Sequence, residues 1–178
     1  MKKLLTLALV AGAFLATPTL TAQEFKVDKS PMDQAAFPSS YKESNKQIKV
    51  TYSRPQLKGR DLATLAPAGK VWRMGANEAV EVTLYKDMKL GTTPVKAGTY
   101  TMYAIPGAKE WTVILSSDLN VWGSYFYNEK NDVARISVPV EEGKDNVEYF
   151  GMEFVEANNG AHLVGAWGTV RIQIPFYN

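Results

Sequence analysis

The residues best suited to chemistry lie close together in the sequence, between Tyr52 and Glu78. This segment contains three arginines, two lysines, one tryptophan and an Asn-Glu pair, separated by glycines and prolines. A guanidinium group offers a planar pair of donors to a carboxylate, phosphate or sulfate, and an aromatic ring beside it can stack on a sugar. The segment therefore predicts a polar site for a small anionic or glycan-like ligand. The predicted ligand-binding residues are Arg54, Lys58, Arg60, Trp72, Arg73, Asn77 and Glu78.

The same side chains also have a structural interpretation. Arginines in loops commonly pair with nearby acids such as Asp61 and Glu78, or with backbone carbonyls, and thereby tie a loop to the body of a protein. A second aromatic segment, Trp122–Tyr127, is another candidate wall for the site. We expect Trp122 and Phe126 to pack in the core, because aromatic side chains serve packing more often than recognition.

Catalytic signatures are absent from the sequence. It has no phosphate-binding loop, dinucleotide fingerprint, nucleophile elbow, zinc-protease motif or calcium-binding loop. His162 is the single histidine and falls on a predicted strand, which is typical of a structural or surface residue. Glu78 is the one candidate for an acid-base role in a hydrolase or lyase, because Glu81 is predicted to point to the outer face of its strand. We predict a non-catalytic protein with no cofactor and no bound metal; a purely structural or interaction protein is the other alternative.

The N-terminus has the pattern of a secretory signal peptide. A basic start, Met1-Lys2-Lys3, precedes an apolar stretch too short to span a bilayer, and the small residue Ala22 precedes the polar Gln23-Glu24. Cleavage after Ala22 predicts export to the periplasm or the medium, with no membrane span afterwards. Residues 1–22 hold two of the twenty basic residues and none of the eighteen acidic ones, so the remainder is formally neutral. A neutral chain is a poor candidate for binding nucleic acid.

The rest of the chain predicts an all-β fold. There is no cysteine, 46% of the 178 residues are hydrophobic, and apolar side chains repeatedly alternate with polar ones, as in half-buried strands. Short strands separated by turns predict a single-domain antiparallel β-sandwich or jelly roll, with a closed barrel as the alternative. The strands are expected near residues 48–53, 80–85, 100–105, 111–116, 136–140, 150–155, 162–167 and 170–174.

The organisation along the chain follows from these patterns. We predict a signal peptide over 1–22, an extended lead-in over 23–47 that contacts the body through Met32, Phe37 and Tyr41, and the β domain over 48–178. Hairpin turns are expected at four places: Lys96–Gly98, Pro106-Gly107, Glu142-Gly143 and Asn158–Gly160. One or two short helices are expected, at Gly59–Leu65 and Asn120–Tyr127.

Several short strings together resemble the family called domain of unknown function 2911. They are Tyr52-Ser53-Arg54-Pro55, Lys58-Gly59-Arg60, the stretch Gly69–Glu78, Ala97–Tyr100, Ile105–Gly107, Glu110–Ile114 and Trp122-Gly123. The string Gly-Lys-Val-Trp-Arg-x-Gly-Ala-Asn-Glu is the most specific of them, and the similarity extends from about Ser30 to the end of the chain. Met74 departs from the pattern, which favours a small or hydroxyl residue at that place. The resemblance implies an exported bacterial protein and a shared fold, but it implies no reaction.

Overall fold

The computed structural model describes residues 26–178. The predicted signal peptide over residues 1–22 lies outside the described residues. The described part is a β structure in which every pair of neighbouring strands is antiparallel. The predicted all-β antiparallel class is therefore confirmed.

Nine strands form one sheet in the order β1-β2-β3-β6-β7-β8-β9-β4-β5. Their bounds are β1 Met32–Phe37, β2 Ile48–Ser53, β3 Val80–Leu84, β4 Met88–Leu90, β5 Thr93–Val95, β6 Gly98–Ile105, β7 Glu110–Ser116, β8 Asp132–Ala157 and β9 Gly160–Tyr177. The two end strands, β1 and β5, do not pair with each other, so the sheet is open. The alternative of a closed barrel is wrong, because closure would require hydrogen bonds between those two strands.

The long strand β8 joins the two halves of the sheet. Its first part pairs with β7 up to Pro139, and its later part pairs with β9 from Val140 to Ala157. The predicted hairpin turn at Glu142-Gly143 is wrong, because the strand continues through these residues. Register shifts on either side of Val147 bend it instead.

The inner face of the sheet is apolar because buried side chains alternate with more exposed ones along strands such as β2 and β3. Val80, Met102, Leu115 and Ala134 stand opposite one another on four neighbouring strands, and all four are buried. The two halves of the sheet meet at a cluster of aromatic rings. Trp72 stacks on Trp167 with ring centroids 5.4 Å apart, and two further rings meet Trp72 edge-on. These are Trp111 at 5.7 Å and Phe150 at 5.2 Å.

Strand β1 lies inside the predicted lead-in and pairs with β2 along its whole length. Phe37 is buried against Phe154 of β8, so it contacts the body as expected. Met32 is 63% exposed but lies opposite Ser53 in the β1–β2 pair, so it also contacts the body as expected. Tyr41 is 90% exposed, so the prediction that it packs on the body is wrong.

Helix is confined to two short pieces. Helix α1, Leu62–Leu65, begins at Asp61, whose carboxylate accepts a hydrogen bond from the N–H of Ala63. A 3-10 turn covers Glu129–Asn131. The predicted helix over Asn120–Tyr127 is wrong. Asn120 and Gly123 adopt positive φ values of 56° and 67°, which a right-handed helix does not allow.

The central position of Trp72 generates a prediction about stability. The substitution Trp72→Ala removes a ring that touches three others and leaves a cavity, so it should lower the free energy of unfolding by about 3–5 kcal/mol. Trp122→Ala is the matched control, because Trp122 is 55% exposed and should change stability by about 0.5 kcal/mol or less. Urea unfolding followed by circular dichroism measures both. Equal losses would contradict the central role of Trp72.

The buried hydroxyl of Tyr52 generates a prediction about pH. This hydroxyl accepts a hydrogen bond from the N–H of Met152 at 2.8 Å, and burial raises the pKa of Tyr52 to about 12. The folded state therefore keeps this proton at pH values where the unfolded chain, with a pKa of about 10, has lost it. Tyr52 contributes stability below pH 10 that is lost as the pH rises toward 12. In Tyr52→Phe this part of the alkaline loss should disappear from unfolding curves measured between pH 9 and 12, and an unchanged slope would contradict it.

Candidate functional site

A polar row crosses the outer face of the sheet, one register step from the buried row on the inner face. Neighbouring strands place its members side by side: Gln34, Thr51, Glu81, Thr101 and Ser116. The amide of Gln34 donates a hydrogen bond to the Thr51 hydroxyl at 3.4 Å. Such a row on a solvent face provides a surface of hydroxyl, amide and carboxylate groups.

The loop between β7 and β8, Ser117–Asn128, covers one end of this row; we call it the roof loop. Beneath it Thr101 is only 3% exposed and Ser116 is fully buried. The Thr101 hydroxyl donates to the carbonyl oxygen of Asp118 at 2.6 Å. The carboxylate of Asp118 accepts from the amide of Asn131 at 2.7 Å. The hydrogen bond from Thr101 to Asp118 therefore holds the roof loop against the sheet and gives both polar groups a partner.

Tyr103 and Tyr127 fasten the far end of the roof loop. Their rings meet edge-on at 5.2 Å, and the Tyr127 hydroxyl donates to Asp132 at 2.9 Å. Arg135 bonds to the same carboxylate oxygen at 2.6 Å. Burial raises the pKa of Tyr103 to about 12, and the nearby Asp118 carboxylate adds to the shift.

The segment Gly69–Ala79 runs along the near side of the roof loop; we call it the rim segment. Three hydrogen bonds join the two. The N–H of Ala79 donates to Val121 O at 3.0 Å, the N–H of Gly123 donates to Asn77 O at 3.0 Å, and the Ser124 hydroxyl donates to Val71 O at 2.9 Å. Glu78 and Trp122 form a bridge pair, and partners in such a pair point to the same side.

A pocket of about 240 Å³ opens on the outer face between the rim segment, the roof loop and the first strands. It is lined by Met32, Thr51, Tyr52, Ser53, Glu78, Ala79, Glu81, Thr101, Asn120 and Val121. Two carboxylates and three hydroxyl-bearing residues of the outer face therefore share one cavity with an amide. We refer to it as the outer-face pocket.

The polar groups of the outer-face pocket include ones without protein partners. Ser53, whose residue is only 4% exposed, contributes its hydroxyl to the lining. Neither Glu78 nor Glu81 takes part in an ion pair in that same part of the chain. A ligand that carries donors for these oxygens would gain hydrogen bonds that the protein itself does not supply.

The roof loop also presents aromatic side chains to solvent. Trp122 is 55% exposed, Tyr125 is 77% exposed and Phe126 is 78% exposed. The prediction that Trp122 and Phe126 pack in the core is wrong. These three residues flank the turn at Gly123, where φ is 67°, so the chain does not form the helix predicted there. Contiguous exposed apolar surface is a feature of interaction sites.

The structure separates most of the sequence-predicted site residues from this pocket. Arg54 lies at the end of β2, where its guanidinium stands 3.6 Å from Asp33 and 5.6 Å from the ring centre of Tyr149. It lines a different pocket of about 260 Å³, together with Asp33 and Glu153. Its Nε is buried without a hydrogen-bond partner.

Lys58 and Arg60 belong to a loop that is fastened to β8. The N–H of Lys58 donates to the carboxylate of Glu148 at 2.7 Å. Arg60 donates from Nε to Leu57 O at 3.0 Å and from Nη2 to Gln56 O at 2.7 Å. The guanidinium of Arg60 thus serves the carbonyls of its own loop, as the structural interpretation of the sequence expected.

The rim segment places some of its side chains in the core and others at the outer-face pocket. Trp72 is buried in the aromatic cluster, and Arg73 donates from Nε to Gly75 O at 3.1 Å. Asn77 adopts a positive φ of 59° and contributes its carbonyl to the roof loop. Of the seven predicted residues, Glu78 alone lines the outer-face pocket.

Family comparison agrees with the resemblance noted in the sequence. The family model described as "Protein of unknown function (DUF2911)" matches residues 30–176. The chain belongs to this family. No curated protein and no solved structure matches it.

The string Gly69–Glu78, which carries much of the resemblance, makes up the rim segment except for Ala79. Met74, where the resemblance favours a small or hydroxyl residue, is fully buried with a positive φ of 54°. Its side chain therefore adds to the core. In this DUF2911 protein the string connects the aromatic core to the edge of the outer-face pocket.

Several residues that line the outer-face pocket are not among the site residues predicted from the sequence. From the sequence, Thr51 and Glu81 are expected on the polar side of their strands and Thr101 on a strand whose two faces are both partly apolar, so none of the three is predicted to line a pocket. The register that places them side by side depends on which strands are neighbours, and that information is not local in the sequence. Asn120 was hidden in a predicted helix, although an Asn three residues before a glycine is a usable turn signal.

Two further features of this DUF2911 chain bear on the site. Over residues 26–178 there is no helix long and apolar enough to cross a membrane. In the same range no group of three or more metal-binding side chains is placed to hold an ion. His162 bonds to Tyr177 at 3.0 Å and to Gln173 at 3.2 Å on the surface of β9, well satisfied by its neighbours.

The contacts of Arg73 generate a prediction about the rim segment. Its guanidinium bonds to Gly75 O and lies 3.7 Å from the position that a Cβ on Gly123 would occupy. Arg73→Ala should therefore lower the free energy of unfolding by about 1–2 kcal/mol, measured by urea denaturation. Lys70→Ala, an exposed change in the same segment, is the control and should have little effect. If Arg73→Ala leaves stability unchanged, the structural role of Arg73 is contradicted.

Proposed function

We propose that this protein is a non-catalytic binding module for a glycan. The observation that carries the proposal is the pairing of the outer-face pocket with the exposed aromatic side chains of the roof loop. A sugar ring has apolar C–H faces and a rim of hydroxyls, so it is complementary to a surface that offers aromatic rings beside carboxylate, hydroxyl and amide groups. One sugar unit would occupy the pocket, and neighbouring units would lie along Trp122, Tyr125 and Phe126.

The charges of the site favour a glycan over an anionic small molecule. The lining of the outer-face pocket contains Glu78 and Glu81 but no lysine or arginine. The arginines that suggested an anion in the sequence are engaged elsewhere, with Asp33 for Arg54 and with backbone carbonyls for Arg60 and Arg73. A carboxylate or phosphate in this pocket would meet like charges without compensation.

Export is part of the same proposal. We infer it from the basic and apolar N-terminal pattern over residues 1–22, which places the module in the periplasm or outside the cell, where structural polysaccharides are found. We also infer that the two halves of the sheet act as the two layers of a sandwich, with the aromatic cluster between them. The binding surface then lies on the outside of one layer.

Glycoside hydrolysis is a second candidate function. Glycosidases use a pair of carboxylates that flank the scissile bond, and Glu78 and Glu81 line one cavity. Both side chains are exposed, whereas a general acid is usually tuned by a partly apolar pocket, which favours binding. Incubation of the protein with glycans that it binds, followed by a reducing-end assay, separates the two functions. Release of new reducing ends that stops in Glu78→Gln would replace the binding proposal with the hydrolase.

The binding proposal predicts a loss on removing one aromatic ring. Purified protein should be depleted from solution by at least one of insoluble cellulose, chitin and peptidoglycan. Trp122→Ala should weaken that binding by about tenfold or more, because exposed Trp122 is the bridge partner of Glu78 and directly follows the lining residue Val121. Its melting temperature should stay near that of the wild type.

Tyr41→Ala is the matched control for this experiment. Tyr41 is 90% exposed and does not line the outer-face pocket, so its loss should leave binding intact. Failure of all three polysaccharides to bind, or equal weakening by both substitutions, would contradict the proposal.

A further inference from the structure

We propose that the sugar held in the outer-face pocket is an amino sugar with a free, protonated amine. The inference rests on the proposed glycan-binding function and specifies the class of sugar. It is carried by the charge of the pocket, by the absence of ion pairs to its carboxylates among residues 26–178 and by the hydroxyl-bearing Ser53, a buried residue of the same lining.

The pocket carries negative charge without a counterion from the chain. Glu78 and Glu81 both line it, no basic side chain does, and the ion pairs among residues 26–178 involve other acids. Asp118 lies two residues before Asn120 in the roof loop, and its carboxylate is occupied by Asn131. An ammonium group entering the pocket would meet two free carboxylates, an arrangement that stabilises the charged form.

The hydrogen-bonding capacity of the pocket matches the same group. An ammonium has three donors and no acceptor. The carboxylates of Glu78 and Glu81 supply acceptors, and the hydroxyl of Ser53, a residue of the same lining that is only 4% exposed, supplies another. The Thr101 hydroxyl is already committed as a donor to Asp118. The remaining hydroxyls of the sugar would bond to Asn120 and Thr51.

The exposed aromatic side chain next to the lining residue Val121 adds to the preference. Trp122 points to the same side as Glu78, its bridge partner, and a cation near an indole face is stabilised by the ring quadrupole. An N-acetylated sugar lacks the positive charge, and a uronic acid brings a negative one. The pocket therefore discriminates between sugars of the same shape by the charge at one substituent.

The test compares glucosamine hexamer with N-acetylglucosamine hexamer by isothermal titration of the full protein. At low salt the glucosamine hexamer should bind about fivefold to tenfold more tightly, since two partly exposed ion pairs act together. Added sodium chloride should reduce this preference. Glu78→Gln and Glu81→Gln should each reduce it, and the double variant should abolish it.

Controls exclude a general attraction between charges. Glu156→Gln removes an exposed carboxylate of β8 outside the pocket and should leave the preference intact. Hexalysine, which has amines but no sugar, should not compete with the glucosamine hexamer. Melting temperatures of all variants show that the fold is retained.

The outcomes separate this inference from the function on which it rests. Equal affinity for the two hexamers, a preference retained in the double variant, or competition by hexalysine would overturn the amino-sugar inference. If binding to either hexamer or to cellulose is nevertheless lost in Trp122→Ala, the glycan-binding function stands. Absence of binding to the hexamers and to all three polysaccharides would overturn both.

Discussion

The contact among four aromatic rings is the interaction on which the rest of this structure depends. Trp72 belongs to the rim segment, Trp111 to β7, Phe150 to β8 and Trp167 to β9, so the cluster joins both halves of the sheet. Trp72 also forms a bridge with Ala104 of β6, which fixes the start of the rim segment against the sheet. The rim segment continues from Trp72 and reaches the lining of the outer-face pocket at Glu78. Burial of one indole therefore sets the position of the edge of the outer-face pocket.

The bend in β8 allows the sheet to bring those rings together. A strand of 26 residues would leave the core if it stayed straight, and its register shifts around Val147 redirect it. The irregular stretch leaves carbonyl groups without strand partners. Arg171 supplies donors for them, from Nη2 to Asp145 O at 2.8 Å and from Nη1 to Gly168 O at 3.0 Å. One arginine thus compensates for the hydrogen bonds that the bend removes.

The sequence predicts the local part of this arrangement and misses the part that depends on strand neighbours. Alternation located most strands, but β4 and β5 have three residues each, too few to show a period. Glu142-Gly143 reads as a turn because the signal for a bulge and the signal for a hairpin use the same residues. Glu78 could be singled out from its position after a glycine. Glu81 could not be assigned to a pocket, because its cavity exists only when the roof loop crosses the outer face.

The arginines lie away from the pocket glutamates because a guanidinium group donates hydrogen bonds, whereas a carboxylate accepts them. Loops without regular structure leave backbone carbonyls exposed, and a guanidinium has five donors to satisfy them. Arg60 and Arg73 are used in this way within their own loops. A carboxylate accepts only, so it can serve N–H groups, and Glu148 does so for Lys58. Glu81 lies in β3 between β2 and β6, whose N–H groups pair within the sheet. A chain that is formally neutral after residue 22 therefore acquires an acidic pocket, because Arg54, Arg60 and Arg73 are engaged with Asp33 or with backbone carbonyls elsewhere.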